Sequence, residues 1–432
     1  MHSLDRDERL FELNARTLLV PASLTKLVSA ATAADAVGWD FRYTTTLLTT
    51  GEVVKGVLRG DLIVAGSGDP SIGGRAGDDI TPWIDAVRTF GITRIDGRVI
   101  GDDDAIDEPR PQLAWTWDDL GYPTGALFGA LNLHENRTTV TVSPGGAGSP
   151  GIVSVFAPFD YRQILNRVMT GVRGSTQLLW PEQRPGETAL TIAGTIPVGA
   201  RPAMVGVAVG NPTLYFAQAL RHRLEAAGIA VSGGAFDVDD AMPPVRRSEA
   251  TAIHAHRSRP LAELVRPMLK DSINLYAEAA LRLNVAPGAF ATNDAALAGM
   301  TKRLEAWGVA PSDQQLVDGS GLSRRDTITA EAMLVVLRRM HDPGDASPFA
   351  TGLPVAGVDG SLASRMRATP AEGNVRAKTG TMSNIRTLAG YVTTGDGERL
   401  ALVVMVNNFE GTGASAVQAI DAIAVRLAAF RR

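Results

Sequence analysis

The chain has 432 residues, 45% hydrophobic and 20% charged, which suits a soluble globular protein of two or three domains. Its formal net charge of −4 gives no electrostatic footprint for nucleic acid, and zero cysteine excludes disulfides, thiolate metal sites and cysteine nucleophiles. No run approaches membrane-span length and no signal peptide heads the chain, although Met1-His2-Ser3 is compatible with a start that follows a removed export segment.

In chain order, Leu10 to Val20 reads as strand with a polar turn at Asn14-Ala15-Arg16. Pro21 then opens a helix: Leu24, Leu27, Val28 and Ala31 fall at helical spacing, which predicts an amphipathic helix ended by Gly38. Tyr43 to Thr50 and Val53 to Leu58 read as a hairpin turning at Thr50-Gly51-Glu52. Leu62 to Ala65 is a short buried strand running into Gly66-Ser67-Gly68-Asp69-Pro70-Ser71. That loop has neither dinucleotide-binding nor P-loop spacing and Pro70 interrupts it, so a phosphate cradle is rejected.

The texture then changes. Trp83 to Phe90, Gly91 and Ile95 to Ile100 form a helix, glycine cap and strand. The pattern returns as Leu214 to Ala227, Gly228, Ile229 to Phe236, and again as Leu297 to Trp307, Gly308 and the segment to Val317. Alternating strands at Thr138 to Val142 and Ile152 to Phe156 lie between, broken by Pro144-Gly145-Gly146. Residues 67–252 therefore read as inserted β-rich lobes. His254 and His256 precede Arg-Ser-Arg-Pro and read as loop rather than as a metal site. Helices follow at Leu261 to Leu269, Asn274 to Leu283 and Ala330 to Met340. Strands at Asn374 to Thr379, Leu388 to Thr394 and Leu400 to Asn407 come next, the last two joined through Gly395-Asp396-Gly397, before a helix from Ala414 to Phe430.

Three short motifs carry chemistry. Ser23 and Lys26 stand at i and i+3, so on a helix the amine reaches the hydroxyl; buried, it would lose affinity for its proton and could act as a base. A lone Ser-x-x-Lys is common, but this chain has only five lysines (26, 55, 270, 302 and 378) among 42 basic residues. Where arginine supplies nearly every plain positive charge, a lysine is a candidate for work that arginine, which keeps its proton, cannot do. Ser272-Ile273-Asn274 opens a second helix. Lys378-Thr379-Gly380-Thr381 lies on a strand, where Gly380 permits close backbone approach. Together and in this order the three form the set shared by class A β-lactamases and penicillin-binding proteins.

With these motifs the chain resembles the S13 family, the D-alanyl-D-alanine carboxypeptidases/endopeptidases also called class C low-molecular-mass penicillin-binding proteins. The resemblance covers almost the whole length. It includes Asn14 leading to Pro21-Ala22-Ser23, the Gly68-Asp69-Pro70 turn, Lys270 with Ser272 and Asn274, Ala277-Glu278, and Asp318-Gly319-Ser320-Gly321-Leu322-Ser323. Ile273 departs from the aspartate common in the family. The resemblance implies an α/β (α+β) transpeptidase-like, β-lactamase-like domain, an antiparallel sheet with flanking helices, formed by residues 1–66 and 253–432 with the lobes of 67–252 inserted.

It further implies that Ser23 is the acylated nucleophile, Lys26 its base, and Ser272 the proton relay to the leaving D-alanine, supported by Asn274 and Lys378. Thr379, Gly380 and Thr381 line the substrate's carboxylate, and the Ser23 and Thr381 amides form the oxyanion site. Asp118, Tyr122 and Met382 are matched to recognition of the free ammonium end of meso-diaminopimelate. Neither metal nor organic cofactor is called for. Expected partners are peptidoglycan peptides ending in D-Ala-D-Ala and β-lactam antibiotics. The expected location is extracytoplasmic, in the periplasm or cell envelope, with the export segment absent from this sequence. A β-lactamase lacks support because no deacylating glutamate loop is evident and Ser272 stands where class C enzymes have tyrosine. A non-enzymatic binding protein would have lost a motif residue, and an esterase of similar fold would carry tyrosine in the second motif.

Overall fold

The computed structural model describes residues 1–432 except 76, 78, 114, 156–162, 185–188, 246, 287 and 342–346. The expected strand end at Phe156 lies outside the described residues.

The chain divides into two compact units: Met1–Phe41, Gln112–Ala114 and Pro260–Arg432, and Arg42–Pro111 with Trp115–Arg259. The first unit is built on β1 (His2–Ser3), β2 (Glu8–Arg9), β3 (Arg376–Met382), β4 (Ile385–Thr393) and β5 (Arg399–Asn407). These form one antiparallel sheet in the order β2-β1-β5-β4-β3, so the two ends of the chain are joined through β1 and β5. Its helices are α1 (Thr25–Val37), α2 (Leu261–Lys270), α3 (Asn274–Arg282), α4 (Asn293–Ala306), α5 (Ala330–Met340), α6 (Pro348–Gly352) and α7 (Gly413–Ala429). Ile420, Ala424 and Ala428 of α7 pack on Leu388, Val392, Leu400 and Leu402 of the sheet.

The helix opened by Pro21 exists, but it is not amphipathic. Thr25 to Ala33 are buried without interruption, because α1 packs against α2, α3, α4 and α5. Its small residues, Ser29, Ala30, Ala31 and Ala33, let these neighbours close around it on several sides. As expected, Gly38 ends the helix with φ +79°, a conformation open to glycine.

Leu10 to Val20 is not strand. Among the described residues it has no ladder apart from a single bridge of Leu19 to Ile328, and Phe11 and Leu13 remain 53% and 73% exposed. The segment drapes over an apolar cleft of about 720 Å³ shared with Leu402, Val404 and Leu427, so its hydrophobic residues line a surface rather than a pleat.

Among the described residues the second unit holds two large cores, with a smaller cluster around Ile63, Ile100 and Ala241. In the first, strands Ala235–Asp237, Val99–Asp102, Leu62–Ala65, Thr44–Thr49 and Thr251–Arg257 form a mixed sheet in that order. Helices Thr81–Thr89 and Pro212–Ala226 supply Trp83, Val87, Phe216 and Leu220 to its core. The second core lies between two three-stranded sheets and contains Val140, Val142, Val168, Leu190, Ile192 and Val207.

This sheet corrects three expectations. The strand beginning near Tyr43 pairs with Leu62–Ala65 and Thr251–Arg257, while Val53–Val54 makes its own two-residue hairpin with Val57–Leu58 around Lys55 and Gly56. His254 and His256 lie in a strand, not a loop, and their alternate spacing turns both rings towards Trp83. Residues 42–66, with Thr251–Arg257, therefore belong with the inserted unit rather than the terminal one. The helix-glycine-strand repeats do form: Gly91, Gly228 and Gly308 have φ of 85°, 83° and 93°. After each, the next amide reaches back into the helix's last turn, as Ile92 to Val87, Ile229 to Leu224 and Val309 to Leu304.

Candidate active site

Ser23, Lys26, Ser272, Asn274 and Lys378 all belong to the first unit. A 3-10 turn, Ala22–Leu24, leads directly into α1, so the half-buried Ser23 precedes the helix and Lys26 lies in its first turn. Lys26 is fully buried. Its Nζ donates to Ser23 Oγ at 2.9 Å and to the Ser320 carbonyl at 2.7 Å. Burial pulls its pKa down to about 8 against the opposing charges of Asp318, Glu278 and Asp326. Near neutral pH a working fraction of this amine is thus unprotonated and can accept a proton from Ser23.

The second serine sits in the turn between α2 and α3 with φ +61°, a left-handed conformation that costs a residue with a Cβ and fixes the direction of its side chain. Lys378, also fully buried, donates to Ser272 Oγ and to the Thr379 carbonyl, both at 2.9 Å. Burial, and secondarily the charge of Lys26, hold its pKa well below the ordinary lysine value. Asn274 is the first residue of α3 and nearly buried. Each of the two buried lysines thus faces a serine, and Lys378 senses the charge of Lys26.

Gly380 explains how the strand reaches the serine's turn. A Cβ there would fall 2.1 Å from Thr387 Oγ1, 2.6 Å from the Pro21 carbonyl and 3.1 Å from Ala22 Cβ. The Thr387 hydroxyl donates to that same Pro21 carbonyl at 2.9 Å. The close approach anticipated for a ligand is first made by the protein's own backbone. Strand β3 is also an edge. Residues 354–356 cover it as far as Ala377; beyond Lys378, among the described residues, no strand is paired with its outer side. Thr379 Oγ1 donates to Ser361 Oγ at 2.7 Å, Thr381 is exposed and Met382 half-buried.

Asp118 and Tyr122 belong to the second unit. Asp118 lies in the 3-10 turn Trp117–Asp119, and Tyr122 is 40% exposed, its hydroxyl pKa raised by burial and by the charge of Asp118. In the same unit the oxygens of Asp103, Asp104 and Glu108 gather within 4.8 Å. Arg247 pairs with Asp104 and with the adjacent Asp102, so this cluster carries its own counter-charge.

Sequence reasoning did not find the loop that holds Lys26. Asp318 accepts the amides of Ser320, Gly321 and Ser323 at 3.0, 2.6 and 2.8 Å and so bends residues 318–323 around one carboxylate. This turn presents the Ser320 carbonyl to Lys26. The Asp-Gly-Ser-Gly-Leu-Ser string was visible, but its role depends on a tertiary contact. Ser361 carried no signal, being one serine of many.

A low-pKa amine against a serine, beside an open sheet edge, is equipment for acyl transfer to that serine. The helical core and antiparallel sheet around it place the protein in the class of penicillin-binding, β-lactamase-like folds. A model described as the D-Ala-D-Ala carboxypeptidase 3 (S13) family matches residues 1–430, and the chain belongs to that family. A D-alanyl-D-alanine carboxypeptidase of Actinomadura sp. (strain R39) is 33% identical, over 98% of this chain and 79% of that protein. The D-alanyl-D-alanine carboxypeptidase DacB of Haemophilus influenzae is 25% identical, over 94% and 84%. In structure, the chain resembles penicillin-binding protein 4 (dacB) from Haemophilus influenzae with a TM-score of 0.86 at 24% identity, covering 99% of this chain and 95% of that one.

Proposed function

We propose that this protein is a serine D-Ala-D-Ala carboxypeptidase that acts on peptidoglycan stem peptides through an acyl-enzyme on Ser23, with D,D-endopeptidase cleavage open to the same machinery. The observation that carries the reading is the fully buried Lys26 amine, 2.9 Å from Ser23 Oγ and fixed on its other side by the Ser320 carbonyl.

The Ser23 oxygen attacks the carbonyl of the penultimate D-alanine as its proton passes to Lys26 Nζ. The tetrahedral oxyanion lies between the amides of Ser23 and Thr381, each such donor contributing on the order of 3 kcal/mol. Ser272, polarised by Lys378, passes a proton to the departing D-alanine nitrogen, and water then hydrolyses the ester. Lys378, Thr379 and Thr381 hold the terminal carboxylate, and Asn274 binds the peptide amide. The uncovered side of β3 past Lys378 gives an extended peptide an edge to pair with, at the point where Gly380 brings the strand against the serine's turn.

β-Lactams are partners on the same grounds, since their strained amide is attacked by the same serine. Intact-mass spectrometry after incubation with benzylpenicillin tests the whole scheme: one slowly reversed adduct, mapping to Ser23, is expected. Rapid turnover without an adduct would turn the reading towards a β-lactamase, and absence of reaction towards a binding protein.

Asp118, Tyr122 and Met382 are proposed to select the diaminopimelate side chain, with Asp118 pairing with its ammonium and Met382 packing on its methylene stem. Replacing Asp118 by Asn is expected to reduce the preference for diaminopimelate peptides over diacetyl-lysine peptides; an unchanged ratio of kcat/KM values would refute the assignment. Because peptidoglycan lies outside the cytoplasmic membrane, the proposed location is extracytoplasmic. Among the described residues no helix is long and apolar enough to cross a membrane.

A further inference from the structure

Glu278 is a fully buried carboxylate for which the acyl-transfer scheme has no use. It lies four residues after Asn274 on α3 and therefore on the same helix face. Its Oε1 accepts the Gly319 amide at 3.1 Å. Among the described residues Oε2 has no donor in hydrogen-bonding geometry; it stands 4.0 Å from Arg282 Nη1, and the Ser320 hydroxyl is the other polar group beside the carboxylate. A buried carboxylate with one oxygen unmet is costly, so its presence calls for a role.

What Glu278 holds is the loop that holds Lys26. Gly319 is pressed so closely on α3 that a Cβ there would come within 2.6 Å of the Ala277 carbonyl. The Gly319 carbonyl accepts the Ser29 hydroxyl of α1 at 2.6 Å, and the next carbonyl, that of Ser320, accepts the Lys26 amine. Glu278 thus grips the peptide one residue before the acceptor that aims the amine at Ser23.

We propose that Glu278 is a positioning residue for acylation, anchoring the Gly319–Ser320 backbone that orients Lys26, and that its charge sets the pH range in which Lys26 can take the Ser23 proton. The inference rests on Lys26 being the base. The charged groups around the pair are Arg282 on α3, Asp318 and Asp326 from the loop, and Lys378 from β3. Asp318 acts more strongly on Lys26 but is committed to three loop amides. Asp326 is also held well above the usual carboxylate range, by burial and then by Asp318, but it accepts the Val317 amide and the Thr25 hydroxyl; Glu278 is the carboxylate that holds the amide next to the Ser320 carbonyl. Burial, then repulsion from Asp318, raises its pKa to about 7, below the value of about 8 for Lys26. On raising the pH, Glu278 ionises first, and its new charge delays loss of the proton from Lys26.

The test is a pH titration of protein carrying [ε-13C]lysine, in which five lysines give five signals and Lys26 is assigned by the loss of its signal in Lys26→Arg. In the native protein the Lys26 signal is expected to show a minor inflection near pH 7 before its main one. Glu278→Gln, which keeps an acceptor for the Gly319 amide, should remove the minor inflection and move the main one down by roughly one pH unit or more, because the negative charge that favours the protonated amine is gone. The acid limb of acylation by a fluorescent penicillin should move with it while the high-pH plateau is retained. An unmoved Lys26 titration, or a rate lowered equally at every pH, overturns the proposal. If Glu278→Gln fails to fold, the native titration is compared with that of Asp326→Asn: a minor inflection that survives in Asp326→Asn supports the coupling, and a single inflection in the native protein, or one lost with Asp326, refutes it. Failure of the native protein to form an adduct on Ser23 would instead defeat the reading of Lys26 as base, an outcome that mass spectrometry separates from the titration.

Discussion

At the scale of the residue, the five lysines divide by burial. Lys26 and Lys378 are fully buried and each faces a serine; Lys55 and Lys302 are exposed, and Lys270 pairs with Asp359 at 2.5 Å. Lys26→Arg is expected to abolish both peptide hydrolysis and penicillin labelling with the fold intact, because a guanidinium keeps its proton and outgrows the site. Lys378→Arg should retain slow acylation, reduced ~10²-fold or more, since a forked cation can hold a carboxylate but serves the Ser272 relay poorly. Lys55→Arg should change nothing. Stopped-flow labelling with a fluorescent penicillin distinguishes the three. In the native protein the acylation rate should rise with pH through about 8, as the free enzyme's Lys26 loses its proton; a rate independent of pH between 6 and 9 would remove Lys26 as the base.

At the scale of the element, the site depends on β3 reaching the turn before α1. Gly380→Ala puts a methyl group where Thr387 Oγ1 and the Pro21 carbonyl already are. The strand must withdraw, which should cost about 1–3 kcal/mol of stability and most of the acylation rate, since Thr381 follows directly in the proposed oxyanion site. Gly397→Ala is the matched control. Its φ is +92° but none of the described residues lies within 4 Å of the added carbon, so the expected loss is strain of about 1 kcal/mol in the β4–β5 turn with labelling retained. Thermal melting and labelling rates together make the comparison; equal labelling by both variants would show that the close approach has no part in the chemistry.

At the scale of the whole molecule, buried titratable groups make stability depend on pH in two separate windows. The pKa of Glu278 is raised by burial from 4.5 to about 7, so across that interval the folded state binds the proton more tightly. Its contribution to stability is full below 4.5 and is lost as pH rises through about 7. The pKa of Lys26 is lowered by burial from 10.5 to about 8. There the unfolded state holds the proton more tightly, so stability from this group is present above 10.5 and lost as pH falls through about 8. Melting temperatures of Glu278→Gln should therefore gain on the native protein between pH 4.5 and 7, and those of Lys26→Met should fall behind it between pH 8 and 10.5. Differences that stay constant across these windows would contradict the burial of the two charges.

The sequence by itself determined what depends on neighbours a few residues apart. The pairing of Ser23 with Lys26 follows from i, i+3 spacing, the caps at Gly38, Gly91, Gly228 and Gly308 from glycine's access to positive φ, and the scarcity of lysine singled out Lys26 and Lys378 before any coordinates. Local patterning could not see partners distant in the chain. It paired Tyr43–Thr50 with Val53–Leu58, whereas the strand takes Thr251–Arg257 as its neighbour. It made Leu10–Val20 a strand, although the segment lies over an apolar cleft, and it gave α1 an exposed face that four other helices leave no room for. Only the tertiary structure decided that both lysines are stripped of water, that the Ser320 carbonyl aims one of them, and that Glu278 and Asp318 stand behind that carbonyl. Desolvation is a property of the assembled core rather than of any short stretch of chain, and it is desolvation that turns an ordinary lysine into a base.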